Sequence, residues 1–291
     1  MNNKNEIQSI NKLVQKIGLV GESVLSISDM SDDQIYNLFE LAKTLEPWNR
    51  SKVELLPDKV LLTIFFQPST RTRMSFETAM QRLGGMVVSE ADPMTTSSAA
   101  KEESLADMMK VVSKYANVIV LRHFDDQEAL NGAKYSEAPV INGGFGDWEH
   151  PTQALLDLYT LWRIHGKVEG LKVCVASADL IAARTGHSMA HGLTRLGAKV
   201  TLASPKKNRT PKEVREKLDQ EKGEYLEAFD LNQDEFNELI KDMDLVYLPG
   251  CSAPKGPESE AFKEIMDNYF VRYDALDDVY QETGKNVRVT H

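Results

Sequence analysis

KVLLTIFFQ, residues 59–67, runs directly into PSTRTR, residues 68–73, and then into MSFETAMQRLGG, residues 74–85. The first run is short, apolar and rich in branched and aromatic residues, as a strand buried on both faces requires. Pro68 ends it. Phe76, Ala79, Met80 and Leu83 then recur at helical spacing, and Gly84-Gly85 close the run, so the spacing predicts a helix over 72–83. A buried strand, a polar turn and a helix make one step of an α/β sheet.

The same step repeats in both directions. On the N-terminal side, Ile35, Leu38, Phe39, Leu41, Ala42 and Leu45 mark a helix over 32–46, capped by Ser31 and stopped by Pro47. On the C-terminal side come a strand MVVSE (86–90), a polar loop (92–103) and a helix (104–116). Strands NVIVL (117–121) and VINGG (140–144) follow, and then a helix after His150. The second half alternates likewise. Strands are expected at 171–178, 198–205, 244–250 and 286–291, and helices at 186–197, 211–220, 231–242 and 262–269. The expected fold is α/β, with two doubly wound parallel-sheet domains, 1–155 and 156–291, joined by the helix after His150.

Composition bounds the function. The chain has 291 residues, 42% of them hydrophobic, and a net charge of −10. Such acidity argues against non-specific nucleic-acid binding, which rests on clustered Lys and Arg. Two cysteines, Cys174 and Cys251, are too few for a disulfide framework or a four-cysteine zinc site. Cys174 reads as a small buried hydrophobe. The N-terminus lacks a signal peptide's apolar core, and no run approaches the about 20 apolar residues that span a bilayer. A soluble, cytoplasmic protein with no membrane partner is expected.

Three stretches carry chemistry. In PSTRTR, the hydroxyls and arginines lie where a strand ends and a helix begins. Free N–H groups and the positive helix end face outward there, which suits a phosphate dianion. His150-Pro151-Thr152-Gln153 follows the glycine-rich GGFGDWE. His150 and Gln153 share a first helical turn and can donate to a carbonyl oxygen, as acyl transfer requires; capping alone explains His150 equally well. Arg122-His123 comes just after the strand NVIVL, where parallel-sheet side chains point at the ligand crevice. His187 and His191, spaced i, i+4, resemble half a zinc site, but Ser188 stands where H-E-x-x-H has its glutamate. ASADLIAARTG lacks the glycines of a dinucleotide-binding turn.

STRTR, SFETAMQRLGG, KEESLAD, VIVLRH, HPTQALLDLYT and DLIAARTGHS occur in the order and spacing of the aspartate/ornithine carbamoyltransferase family, over about residues 26–291. The chain resembles the aspartate branch most. The resemblance implies that Ser69, Thr70, Arg71 and Thr72 hold the phosphate of carbamoyl phosphate. It places Thr72, Arg122 and His150 near the carbamoyl oxygen, with Gln153 beside the carbamoyl group. Ser97 and Lys101 match residues that reach into a neighbouring subunit's site, implying a homotrimer with shared sites. Arg184 matches an arginine that binds the acceptor's carboxylate. Arg71, Thr72, Lys101, Arg122 and His150 are the expected catalytic residues, with no cofactor and no metal. An aspartate acceptor would imply pyrimidine biosynthesis.

Two departures stand out. Aspartate carbamoyltransferases place an arginine and a glutamine after the strand matching DLVYL, where they contact aspartate's second carboxylate. Gly250 and Ser252 stand there, with Lys255 nearby, and the ornithine branch's Ser-Met-Gly is absent too. NVRVTH matches the strand before the family's His-Pro-Leu-Pro-Arg loop, so the second domain is expected to lack the family's C-terminal segment. Aspartate or a related amino acid is the expected acceptor. A different amine, or a non-catalytic binding or assembly role, remains open on these residues.

Overall fold

The computed structural model describes residues 3–96, 103–250 and 259–290. It divides into two compact units, Met1–Thr152 and Gln153–His291. The first contains α1 (Asn3–Ile17), α2 (Asp32–Leu45), β1 (Val60–Phe65), α3 (Thr70–Arg82) and β2 (Met86–Glu90). It continues with α4 (Pro93–Thr96), α5 (Leu105–Val112), β3 (Val118–His123), α6 (Asp126–Lys134) and β4 (Val140–Phe145). The division falls in the first turn of α7 (Pro151–His165).

The first sheet is wholly parallel, in the order β2-β1-β3-β4. Its central strands are buried on both faces, which explains why they read as continuous apolar runs. Leu62, Ile64, Ile119 and Leu121 pack with Leu105, Met108 and Met109 of α5 and Ala129 and Ala133 of α6. Leu61, Phe65 and Val120 point the other way, onto Met80 of α3. Helices thus cover both faces. The order reverses between β1 and β3, so the crevice of this unit opens beyond the carboxyl ends of those two strands.

The second unit holds β5 (Lys172–Ala176), α8 (Arg184–Arg195), β6 (Lys199–Ser204), α9 (Lys212–Leu218) and β7 (Glu224–Phe229). α10 (Gln233–Ile240), β8 (Leu245–Tyr247), α11 (Ser259–Asn268), α12 (Tyr273–Thr283) and β9 (Arg288–Thr290) complete it. Its sheet is also parallel, ordered β7-β6-β5-β8-β9, with the reversal between β5 and β8. Cys174, Ala176 and Val246 pack with Phe236 and Ile240 of α10, Tyr269 beyond α11 and Val279 of α12. Gly186 of α8 lies against Val175 on the opposite face. Cys174 is fully buried, and burial pushes its thiol up to about 12, which suits the small hydrophobe expected of it. No helix among the described residues is long and apolar enough to cross a membrane.

Most expected elements form within two residues of their anticipated ends. Ser31 caps α2 through a full capping box with Gln34. α3 begins at Thr70 rather than 72, which draws Thr70 and Arg71 into the helix. β3 extends through His123, placing Arg122 inside the strand.

Candidate active site

Ser69 is the N-cap residue of α3, yet its side chain makes no capping hydrogen bond. The first backbone N–H groups of a helix have no intrahelical acceptor, so α3 offers donors at its start. Its first turn also carries no acid. By contrast, α2, α5, α6, α9, α10 and α12 each carry an acid in their first turn, the usual complement to the positive helix end. α3, α7 and α8, the helices that bear Thr70 to Thr72, Gln153 and Arg184, carry none, and neither does the one-turn α4.

The two arginines of STRTR do different work. Arg71 is exposed and makes no ion pair among the described residues. Arg73 instead turns back onto the sheet. Its Nη1 lies 3.1 Å from both Glu77 Oε1 and Ser89 Oγ. Thr63 and Ser89 also donate to that carboxylate, at 2.9 and 2.6 Å. Burial pushes the Glu77 pKa upward, but the hydroxyl donors and Arg73 outweigh it and hold the group below its usual range. Arg73 therefore braces β1, β2 and α3, and of the two arginines only Arg71, the one the family resemblance singled out, is left exposed.

Arg122 lies level with Phe65 of β1, at the reversal of the sheet. It is buried, and its Nη1 donates to Gly143 O at 3.1 Å. Gly144 sits at φ +118, where a Cβ would come within 2.9 Å of Arg122 Nη1 and 3.5 Å of His150 Cδ2. Arg122 and His150 thus flank one glycine that leaves room for both. We expect Gly144→Ala to cost roughly 1–3 kcal/mol of backbone strain and to displace Arg122. Thermal unfolding and turnover, measured together, should both fall.

The loop before His150 is pinned by residues that sequence reading passed over. Asn142 Nδ2 donates to Leu25 O at 2.8 Å and to Glu149 O at 3.3 Å, while its Oδ1 accepts from Gly144 N–H at 2.7 Å. The buried Glu149 carboxylate accepts from Ser26 Oγ at 2.6 Å and Ile27 N–H at 3.1 Å. A polar residue inside the apolar run VINGG was the available signal.

His123 does not share the crevice with Arg122. Strand alternation turns it to the other face, where it stacks on Phe124 and meets Phe66 edge-on. The Asp125 N–H donates to its Nδ1 at 3.0 Å. In the second unit, His187 and His191 are held apart by separate partners. His187 Nε2 meets Leu180 O at 2.7 Å, and His191 Nε2 meets Glu221 Oε1 at 2.8 Å, where Arg195 also binds.

Arg184 opens α8, beyond β5 at the reversal of the second sheet. The turn before it is fixed by Asp179 Oδ1, which accepts from Ile181 N–H at 2.8 Å, and by Asn208 Nδ2, which donates to Ala178 O at 2.8 Å. Gln153 Nε2 donates to Asp157 Oδ2 at 3.1 Å, and the Tyr247 hydroxyl donates to the same oxygen at 3.1 Å. Gly250, beyond β8, is exposed. Its φ is not positive, and a Cβ there would meet no described atom within 4 Å. Ser97, Lys101, Ser252 and Lys255 lie outside the described residues.

Residues 22–163 match the family described as aspartate/ornithine carbamoyltransferase, carbamoyl-P binding domain. A ureidoglycine carbamoyltransferase of Rubrobacter xylanophilus is 64% identical over 286 residues, covering 98% of this chain and 84% of that protein. The aspartate carbamoyltransferase catalytic subunit of Methanosarcina barkeri is 40% identical over 256 residues, covering 87% and 80%. Among solved structures, the catalytic subunit of M. jannaschii aspartate transcarbamoylase superposes with a TM-score of 0.79 at 34% identity, covering 93% of this chain and 85% of that one. The two parallel sheets and these likenesses agree, and the chain belongs to the aspartate/ornithine carbamoyltransferase family as one of its enzymes.

Proposed function

We propose that this enzyme moves the carbamoyl group of carbamoyl phosphate to the amine of ureidoglycine, a glycine whose α-carbon bears a ureido group. The observation that carries the acceptor is Gly250. Among the described residues, neither backbone conformation nor crowding demands a glycine there. No described atom stands in the way of an arginine, so its absence speaks about the ligand. Aspartate's second carboxylate calls for a cationic fork. A neutral ureido group does not, and it would leave a guanidinium there without an anionic partner. The 64% identical relative named for ureidoglycine supports the same choice. The product would then differ from the carbamoyl aspartate of an aspartate enzyme.

In this reading Ser69, Thr70, Arg71 and Thr72 bind the phosphate with the N-terminus of α3. Arg184 binds the α-carboxylate common to aspartate and ureidoglycine. The neutral amine attacks the carbonyl carbon, forming a C–N bond. Arg122, His150 and Thr72 stabilise the oxyanion that develops. The C–O bond to phosphate then breaks, and the departing phosphate takes the proton the amine loses. Arg71 and Lys101 hold the growing phosphate charge. No protein nucleophile is needed, and positioning supplies much of the rate. Ser97 and Lys101 would act across a subunit boundary in a homotrimer.

The test follows phosphate release from carbamoyl phosphate with ureidoglycine or aspartate as the added amine. Release that requires ureidoglycine, with a doubly ureido-substituted acetate as product, is the expected result. Release that depends on aspartate alone overturns the acceptor assignment.

A further inference from the structure

Four polar side chains of the second unit form one chain of hydrogen bonds. Tyr247, at the end of β8, is fully enclosed and donates to Asp157 Oδ2. Gln153, one helical turn before Asp157 on α7, donates its Nε2 to that same oxygen. Thr185, in the first turn of α8 beside Arg184, hydrogen-bonds the Tyr247 hydroxyl.

Chemistry fixes every direction in this chain. An ionised carboxylate only accepts. Tyr247 therefore gives its proton to Asp157 and accepts from Thr185. Burial, then the nearby negative charge of Asp157, push the phenol above its usual range, so it remains a donor at any physiological pH. Gln153 must likewise turn its NH2 toward Asp157. Its Oε1 then faces away from the carboxylate, as an acceptor with a fixed orientation.

We propose that the Thr185–Tyr247–Asp157–Gln153 chain sets the polarity of the Gln153 amide, so that Oε1 reads the N–H of the carbamoyl group and selects carbamoyl phosphate over acetyl phosphate. This rests on the role given to Gln153 in the reading above. The two phosphates share size, charge and carbonyl, and differ in NH2 against CH3. Phosphate ligands and oxyanion donors cannot tell them apart. An acceptor oxygen can, because a methyl group leaves it unpaired. Asp157 and Tyr247 are positioning residues here. Thr185, next to Arg184, ties the start of the acceptor-binding helix to the same chain.

The test is calorimetric titration of the full chain with carbamoyl phosphate, acetyl phosphate and inorganic phosphate, for wild type, Asp157→Asn and Tyr247→Phe. Wild type should prefer carbamoyl over acetyl phosphate by about tenfold or more, the scale of one well-made hydrogen bond. Asp157→Asn keeps the shape but can pair with either end of the Gln153 amide, so most of the preference should vanish. Tyr247→Phe should lose part of it. Inorganic phosphate should bind all three proteins alike, which shows the phosphate ligands intact. An unaltered preference in both variants overturns the inference and leaves carbamoyl transfer standing. So does a wild type that binds the two acyl phosphates equally, or an equal loss of all three ligands in the variants. A folded wild type that binds none of the three overturns the functional reading with it.

Discussion

Arg71→Ala should abolish measurable carbamoyl phosphate binding while leaving the fold intact. Arg71 sits in the first turn of α3, exposed, with no ion pair among the described residues to lose. Its removal costs the ligand a charged fork, and hydrogen bonds to charged groups contribute about 1.5–3 kcal/mol each. Two such bonds amount to a loss of at least about a hundredfold in affinity. Arg73→Ala, two residues away, should behave in the opposite way. It strips Glu77 and Ser89 of a half-buried partner, so unfolding temperature should fall, and affinity should change far less. Calorimetry beside thermal melts on both variants separates the roles. Equal loss of affinity in the two would show that both arginines hold the anion.

Gly250→Arg should shift the enzyme toward aspartate. A side chain at this position meets open space among the described residues, and the backbone there is not left-handed, so the variant should fold normally. The new guanidinium offers a bidentate partner to a second carboxylate. Aspartate-dependent turnover should rise by roughly tenfold or more, on the scale of one charge-assisted hydrogen bond. Ureidoglycine turnover should fall, because a neutral ureido group leaves the charge unpaired. Steady-state kinetics with each acceptor check this. A variant indifferent to both acceptors would remove Gly250 from the specificity account.

Much of this fold was legible because parallel strands covered on both faces must be apolar throughout. KVLLTIFF, VIVL and KVCVA announce themselves. β7 does not, because it lies at the sheet edge, and its run EYLEAF carries two glutamates. α6 is hidden by Gly132 within its span, and α12 by an acidic sequence with a single fully buried residue, Val279. At the site, helix starts and strand ends pointed to Ser69 through Thr72 and to Arg122. Spacing could not separate Arg71 from Arg73, since only tertiary contact with Ser89 on β2 divides them. Asp157 and Tyr247 were invisible for a similar reason. They meet across 90 residues, and no local spacing pairs them. The missing first-turn acids of α3, α7 and α8 were readable and would have grouped three of the candidate helices without any family likeness.

The acceptor is the centre of this account, and direct competition measures it best. Wild-type enzyme would be given labelled carbamoyl phosphate with equal concentrations of ureidoglycine and aspartate, and the labelled products separated. The account predicts that the label goes overwhelmingly to the ureidoglycine product, and that the ratio moves toward carbamoyl aspartate in Gly250→Arg. Label found chiefly in carbamoyl aspartate with the wild-type chain would contradict it.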